Sequence, residues 1–218
     1  MNRDEEMKQA LEPFCMRTHP GLRKILEEGM SLPIAQKIAR GYGPCNAASL
    51  QIMGAGLSKV WDPDLYYPLV ENIYDEVGRG NREDSHVAMF ERFMRAVDVD
   101  PRRCTAEPGS PSERTINAFL AVSNEPTEYE ALALMHGFEA VFPYICGGIY
   151  TGLLKSRIVS EDEAFFFDHH SKVDIEHSGI MLKTMKKPAD TTEKWQKCID
   201  RSVHGARTLY DLFDPILS

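Results

Sequence analysis

Apolar residues recur along most of the chain at helical rather than alternating spacing, and β-branched runs bounded by turn signals are scarce. The pattern predicts an all-α protein of seven or eight helices. A first segment covers about residues 4–29 and breaks near His19-Pro20-Gly21. A second opens on Ser31 as N-cap with Pro33 in its first turn and runs to about Val60, with Pro44 as the place for a kink or interruption and Gly41, Gly43, Gly54 and Gly56 weakening it. Asp62-Pro63-Asp64 opens a third, which ends near Gly78, and after the polar loop from Arg79 to Asp84 a fourth runs to about Val97.

Pro101, Pro108 and Pro111 make residues 98–112 a loop. A short helix follows at about 112–123, then a long one from Pro126 or Thr127 to about Ser156, with Pro143 as a kink. Ser160 with Glu161, Asp162 and Glu163 supplies an acidic start for the next helix, and Thr191 or Thr192 caps the last. There is no internal repeat, so the expectation is a single domain over residues 1–218.

Composition narrows the class. The 218 residues are 43% hydrophobic, enough for one sizeable core, and the net charge of −8 with no basic block argues against a nucleic-acid partner. No run approaches the roughly 20 apolar residues of a membrane span, and the start MNRDEEMKQ is too polar for a signal peptide, so a cytoplasmic protein is expected. Five cysteines, widely spread and without a C-x-x-C pair, point to unpaired thiols rather than a disulfide framework or zinc ribbon.

The chemistry concentrates in Phe167-Asp168-His169-His170-Ser171-Lys172-Val173-Asp174-Ile175-Glu176-His177. At about 100° per residue, Asp174 falls near +40° and His177 near −20° of His170, so the three share an arc of about 60° over two turns. Phe166, Val173, Ile180 and Met181 lie near that face, which therefore points to a core. Two imidazoles and a carboxylate buried together are costly without a partner, and they suit a metal ion. Asp168, His169 and Glu176 project elsewhere, with His169 the competitor for His170.

Further candidate ligands lie upstream. Glu139 sits mid-helix in Leu134-Met135-His136-Gly137-Phe138-Glu139-Ala140-Val141-Phe142, where a lone acid is expensive unless it binds a cation. His136, one turn earlier, is either a substrate contact or a hydrogen-bonded core histidine. Glu76 and His86 flank a glycine-bearing turn, Asp75-Glu76-Val77-Gly78-Arg79-Gly80, that lets the chain reverse and bring both side chains together. His86, in the first turn of its helix, has its cationic form disfavoured by the dipole and keeps a lone pair for metal.

Asp75-Glu76-x-Gly78-x-Gly80 followed by His86, then Glu139, then His170-x3-Asp174-x2-His177, resembles the haem-oxygenase-like diiron oxidase and oxygenase family, relatives of the thiaminase-like and pyrroloquinoline-quinone-synthase-like helical folds. The resemblance covers roughly the middle and C-terminal two-thirds of the chain. It implies a haem-oxygenase-like helical bundle in which Glu76, His86, Glu139, His170, Asp174 and His177 hold two Fe2+ ions, manganese being an equal fit to such ligands. It also implies a reaction with dioxygen that oxidises a small organic substrate such as an amino acid, amine or carboxylic acid, as in natural-product biosynthesis, and a homodimer is common for such bundles. Some family members add a carboxylate from an earlier helix, but this chain has no acid between Ser31 and Ser58.

Candidate substrate contacts are His136, Phe142 and Tyr144, with Lys155 further along the same helix as either a carboxylate partner or a helix-end charge. Two other readings compete. One keeps the fold without iron, as a thiaminase-like hydrolase with Cys146 as nucleophile or a cofactorless oxidase. The other is a non-catalytic metal-binding helical protein, whose site would be closed rather than open beside a pocket.

Overall fold

In the computed structural model, which describes residues 2–218, the chain is all helical, with no strand among the described residues. The ten α-helices are α1 (Arg3–Leu11), α2 (Pro20–Glu28), α3 (Leu32–Ala47), α4 (Ser49–Lys59), α5 (Pro63–Glu76), α6 (His86–Ala96), α7 (Pro111–Leu120), α8 (Glu128–Lys155), α9 (Phe165–Lys186) and α10 (Thr192–Leu217). Short 3-10 turns join several of them.

Each expected helical segment is present, and two are divided. The first separates at a 3-10 turn and His19, which is the N-cap of α2. The second divides at Ala48 (φ −94°, ψ 1°), four residues beyond Pro44, which sits inside α3. The carbonyl of Arg40, whose intrahelical donor Pro44 lacks, accepts from the Cys104 thiol at 3.5 Å, so the loop after α6 satisfies what the proline leaves open. Ser31 stands at the N-cap of α3 without a side-chain cap bond, whereas Asp62, Ser85, Thr127 and Thr191 all accept from the first turns of their helices. Ser160 and Glu163 form a reciprocal capping box around a turn, and α9 begins only at Phe165.

Helix α8 is the axis of the fold, packed chiefly between α9 and α10 and crossed by α2. By length and composition alone it is apolar enough to cross a membrane, with a mean hydropathy of 1.3 over its best window, but 78% of that window is buried by the protein's own helices. Its contact with α10 is backbone to backbone: a Cβ on Gly137 would run into the carbonyl oxygen of Ser202, and one on Gly205 into that of Leu134. The α9 side is filled by aromatic rings, with Phe166 4.9 Å from Phe90 and 6.3 Å from Phe142, and Tyr42 5.2 Å from both Phe90 and Phe142. These edge-on and tilted pairs are the favoured ring geometries, and they form a rigid wall against which the polar face of α9 is laid.

Candidate metal centre

Three elements deliver side chains to that face of α9. Helix α5 ends on Glu76, and the chain then reverses through Gly78 (φ +74°), Arg79 (φ +52°) and Gly80 (φ +94°), a left-handed run that glycine adopts at little cost. Ser85 caps α6, so His86 enters as its first residue, and its imidazole meets Glu76, Nδ1 to Oε1, at 2.7 Å. Helix α8 brings Glu139 from the opposite side, one Oε accepting from Asn72 Nδ2 at 3.3 Å.

The six acids and histidines are all buried, none more than 8% exposed. They fall into two groups whose candidate ligand atoms lie within 4.8 Å of one another: Glu76, His86 and His170, and Glu139, Asp174 and His177. Between the groups, His170 Nδ1 lies 2.9 and 3.0 Å from the Asp174 oxygens; within the second, His177 Nδ1 lies 3.9 Å from both Glu139 and Asp174. His170 Nε2 and His177 Nδ1 are buried with no hydrogen-bond partner. Buried polar atoms are almost always paired, and these two orphans both belong to the acid and histidine cluster.

Burial, then repulsion from Asp174 and Glu76, pushes Glu139 well above the usual carboxylate range, and burial with the charge of Glu76 does the same to Asp174. Burial would raise Glu76 too, but the bond to His86 and its charge outweigh it and hold Glu76 low. His170 is driven well below the usual imidazole range by burial and by His86. Three buried carboxylates facing three imidazoles, of which His170 and His177 are held below the usual imidazole range, are the donor set two divalent cations require, each cation taking up charge that the fold alone leaves uncompensated. The residues present therefore fit two such ions.

A cavity of about 60 Å³ opens beside the cluster, between α3, α4, α7 and α8. Its walls are apolar at Ile52, Met53, Phe119, Met135 and Phe138, with neutral polar groups from Asn46, Ser49 and Thr115, and Glu76, Glu139, His170 and Asp174 form its floor.

Known proteins give the chain a family and a fold. Residues 42–214 match the family described as iron-containing redox enzymes. The chain belongs to that family. Among curated relatives, 4-aminobenzoate synthase of Nitrosomonas europaea is 28% identical over 158 residues, a match spanning 71% of this chain and 63% of that protein. A TenA homologue from Pseudomonas syringae pv. tomato superposes with a TM-score of 0.80 at 12% identity, covering 98% of this chain and 92% of the other. A haem-oxygenase-like domain from Shewanella denitrificans gives 0.73 at 14% identity, covering 98% and 89%. A CADD-like protein from Nostoc punctiforme gives 0.73 at 12%, covering 98% and 97%. The fold is thus haem-oxygenase-like.

The other expected contacts lie differently. Phe142 is fully buried with its ring 5.4 Å from that of His170, so it backs the cluster without lining the cavity. His136 faces the opposite way: its Nδ1 meets Ser202 Oγ at 3.0 Å, Ser202 donates to the Ala133 carbonyl, and burial lowers the imidazole to about 4. It is a neutral core histidine joining α8 to α10. Tyr144 is 38% exposed under the Arg17 guanidinium, and Lys155 donates to the carbonyls of Leu26 and Glu27 at the end of α2. Neither reaches the cluster, because 144 and 155 face away from 139 around α8.

His169 belongs to neither triplet and instead sets its Nε2 3.1 Å from His86 Nε2. Asn72 and Asp75 were not singled out from sequence, although Asn72 lies one helical turn before Glu76 and so shares its inward face. The cavity's polar wall, Asn46 and Ser49, carried no sequence signal, since it forms only where α3 breaks into α4.

Proposed function

We propose that this chain is a non-haem diiron oxidase or oxygenase that activates dioxygen and oxidises a small organic substrate. The observation that carries the reading is the pair of buried ligand triplets placed at the floor of a mostly apolar cavity. A closed structural site would leave no such space beside its ligands. In this reading Glu76, His86 and His170 hold one ion and Glu139, Asp174 and His177 the other. When bound, two ferrous ions supply the electrons for dioxygen reduction and the Lewis acidity that polarises oxygen.

The protein's own share is positioning and exclusion. Asn72 donates to one oxygen of Glu139 and fixes the carboxylate's rotation, leaving its other oxygen toward His177. Phe142 and Phe166, the latter with its ring 4.3 Å from His170, keep water from the back of the cluster. Asn46 and Ser49, whose hydroxyl has no partner in the fold, offer hydrogen bonds to a substrate lying over Phe119 and Phe138. The likeness to a 4-aminobenzoate synthase favours an aromatic or amine-bearing compound among the amino acids, amines and carboxylic acids considered. Dioxygen is the co-substrate, the expected setting is cytoplasmic, and a role in specialised metabolism with a homodimeric state completes the proposal.

A metal-free, TenA-like hydrolase is the alternative that the fold neighbours bring. Cys146 does not serve it: the thiol is fully buried, burial and Asp174 push it well above the usual thiol range, and it is absent from the cavity wall. The deciding experiment is anaerobic loading with ferrous iron followed by a rapid oxygen pulse. Two irons per chain and a transient visible absorption are expected, while less than one bound iron and no transient would end the reading.

A further inference from the structure

The candidate ligand His177 reaches the cluster with one ring nitrogen and a neighbouring carboxylate with the other. Its Nδ1 is buried, without a hydrogen-bond partner, and 3.9 Å from both Glu139 Oε2 and Asp174 Oδ1. Its Nε2 lies 3.4 Å from Asp75 Oδ2, at the wall of an outer groove shared with Glu71 and Glu176. A neutral imidazole carries one proton, and whichever nitrogen holds it cannot bind a cation. An acceptor on Nε2 therefore decides what Nδ1 can do.

Asp75 is itself held. Its other oxygen, Oδ1, accepts from Arg79 Nε at 2.5 Å, one helical turn on, so Oδ2 is left free for His177. Arg79 pays for this contact with a left-handed backbone, φ 52° and ψ 33°, that a side-chain-bearing residue adopts at a cost, and the Tyr74 hydroxyl fastens its carbonyl at 3.0 Å. A glycine stands on either side of Arg79, yet the residue with the guanidinium occupies the middle position.

We infer that Asp75, clamped by Arg79, is a positioning residue for His177: by accepting from Nε2–H it fixes the ring and presents the Nδ1 lone pair to the ion shared with Glu139 and Asp174. The adjacent pair Asp75 and Glu76 then serves both halves of the centre. Glu76 acts directly on the first ion, and Asp75 acts through His177 on the second. Carboxylates placed behind a metal-bound histidine in this way fix tautomer and orientation, and their loss costs about 10–100-fold in metal affinity. This inference rests on the two-ion reading, but its first test does not need metal.

Long-range proton–nitrogen correlation spectra of the metal-free, nitrogen-15-labelled protein report which ring nitrogen of His177 is protonated. Nε2–H is expected, and a ring protonated only at Nδ1 would overturn the inference whatever the iron chemistry proves to be. The second test is anaerobic titration with cobalt(II) as a spectroscopic probe. Asp75→Ala should weaken one of two binding steps by about 10–100-fold and leave the other unchanged. Asp75→Asn, which keeps a carbonyl acceptor, should recover part of that loss, and Arg79→Ala should weaken the same step less.

Equal weakening of both steps together with a fall in the metal-free unfolding temperature would mean a merely structural helix-end ion pair, and would sink the inference. A wild-type protein that binds a single ion would instead overturn the two-ion reading, and the tautomer would still decide the role of Asp75.

Discussion

The two halves of the candidate centre are held in different ways. Glu76, His86 and His170 come from three helices and include a 2.7 Å bond between Glu76 and His86, with aromatic rings packed on His170. Glu139, Asp174 and His177 come from two helices, approach no closer than 3.9 Å through His177, and put two acids against one imidazole. The first half is organised by its own hydrogen bond, in which Glu76 raises the His86 imidazole and His86 lowers the Glu76 carboxyl, each favouring the other's charged form. The second half is tied instead to residues outside it, Asn72 at Glu139, His170 at Asp174 and Asp75 at His177, and its two acids have no cation of their own to offset them. Metal dependence should therefore be concentrated in the second half.

The largest expected effect comes from the residue that touches both halves. Asp174 belongs to the second triplet and also bonds His170 Nδ1 of the first. Asp174→Ala should abolish iron binding, measured by metal analysis after anaerobic loading and desalting. Glu176→Ala, two residues away on the exposed side of α9, should retain the full complement. Equal losses in both variants would remove the geometric assignment of this helix face.

Next in size is a change confined to the second half. Glu139→Gln keeps the shape and the Asn72 contact but removes a carboxylate that burial and its neighbours hold far above the ordinary range. It should release one ion and leave the other. In the metal-free protein it should raise the unfolding temperature, since each kcal/mol of relief is worth about 2–4 °C for a chain of this size. Glu76→Gln should do the reverse to stability, because its carboxylate is favoured by His86. A calorimetric scan of the two variants side by side tests the contrast.

The dependence on pH follows with its sign fixed by the same groups. Glu139 and Asp174 have folded pKa values raised above the unfolded ones, so the metal-free folded state holds more protons and loses stability as pH rises from about 4 upward. His170, depressed by burial, contributes the opposite slope below about 6.5, where the unfolded chain takes up the proton that the folded one refuses. Metal must displace the protons of the two acids, so ferrous binding should release protons into weakly buffered solution, and the stabilisation by metal should widen as pH increases. A gap in unfolding temperature that narrowed with rising pH would contradict this picture of the second half.

Much of this contrast was legible in the chain. The row His170, Asp174 and His177 follows from helical periodicity, and the isolation of Glu139 among apolar neighbours marks a buried charge. The α5–α6 reversal was readable from its glycines, which meet the positive φ values found there. Direction around a long buried helix was not legible: Tyr144 as a substrate contact fails, and the choice at His136 falls to the hydrogen-bonded core histidine, because a helix apolar on every side gives no sequence cue to which face meets which neighbour. The break at Ala48, and with it the cavity wall at Asn46 and Ser49, was hidden because no glycine or proline stands there.

The smallest expected effect sharpens the first half. His169 had competed with His170 for the ligand position, and the fold separates them: His170 Nε2 is buried and unpartnered, while His169 turns its Nε2 to His86 Nε2 at 3.1 Å. Burial, then repulsion from His86 and His170, lowers His169 to about 4, so it is neutral at pH 7 and can accept the Nε2–H of His86. That leaves His86 Nδ1 toward Glu76, the side from which an ion would be held. His169→Ala should then weaken the first ion by about tenfold, and His169→Gln, which keeps an acceptor, by less, both read from equilibrium titration with cobalt(II). Complete loss of that ion in both variants would make His169 a ligand in its own right and would return the competition with His170 to the open. No change in either would mean that the 2.7 Å bond to Glu76 already fixes the His86 ring, making the first half self-sufficient where the second relies on its surroundings.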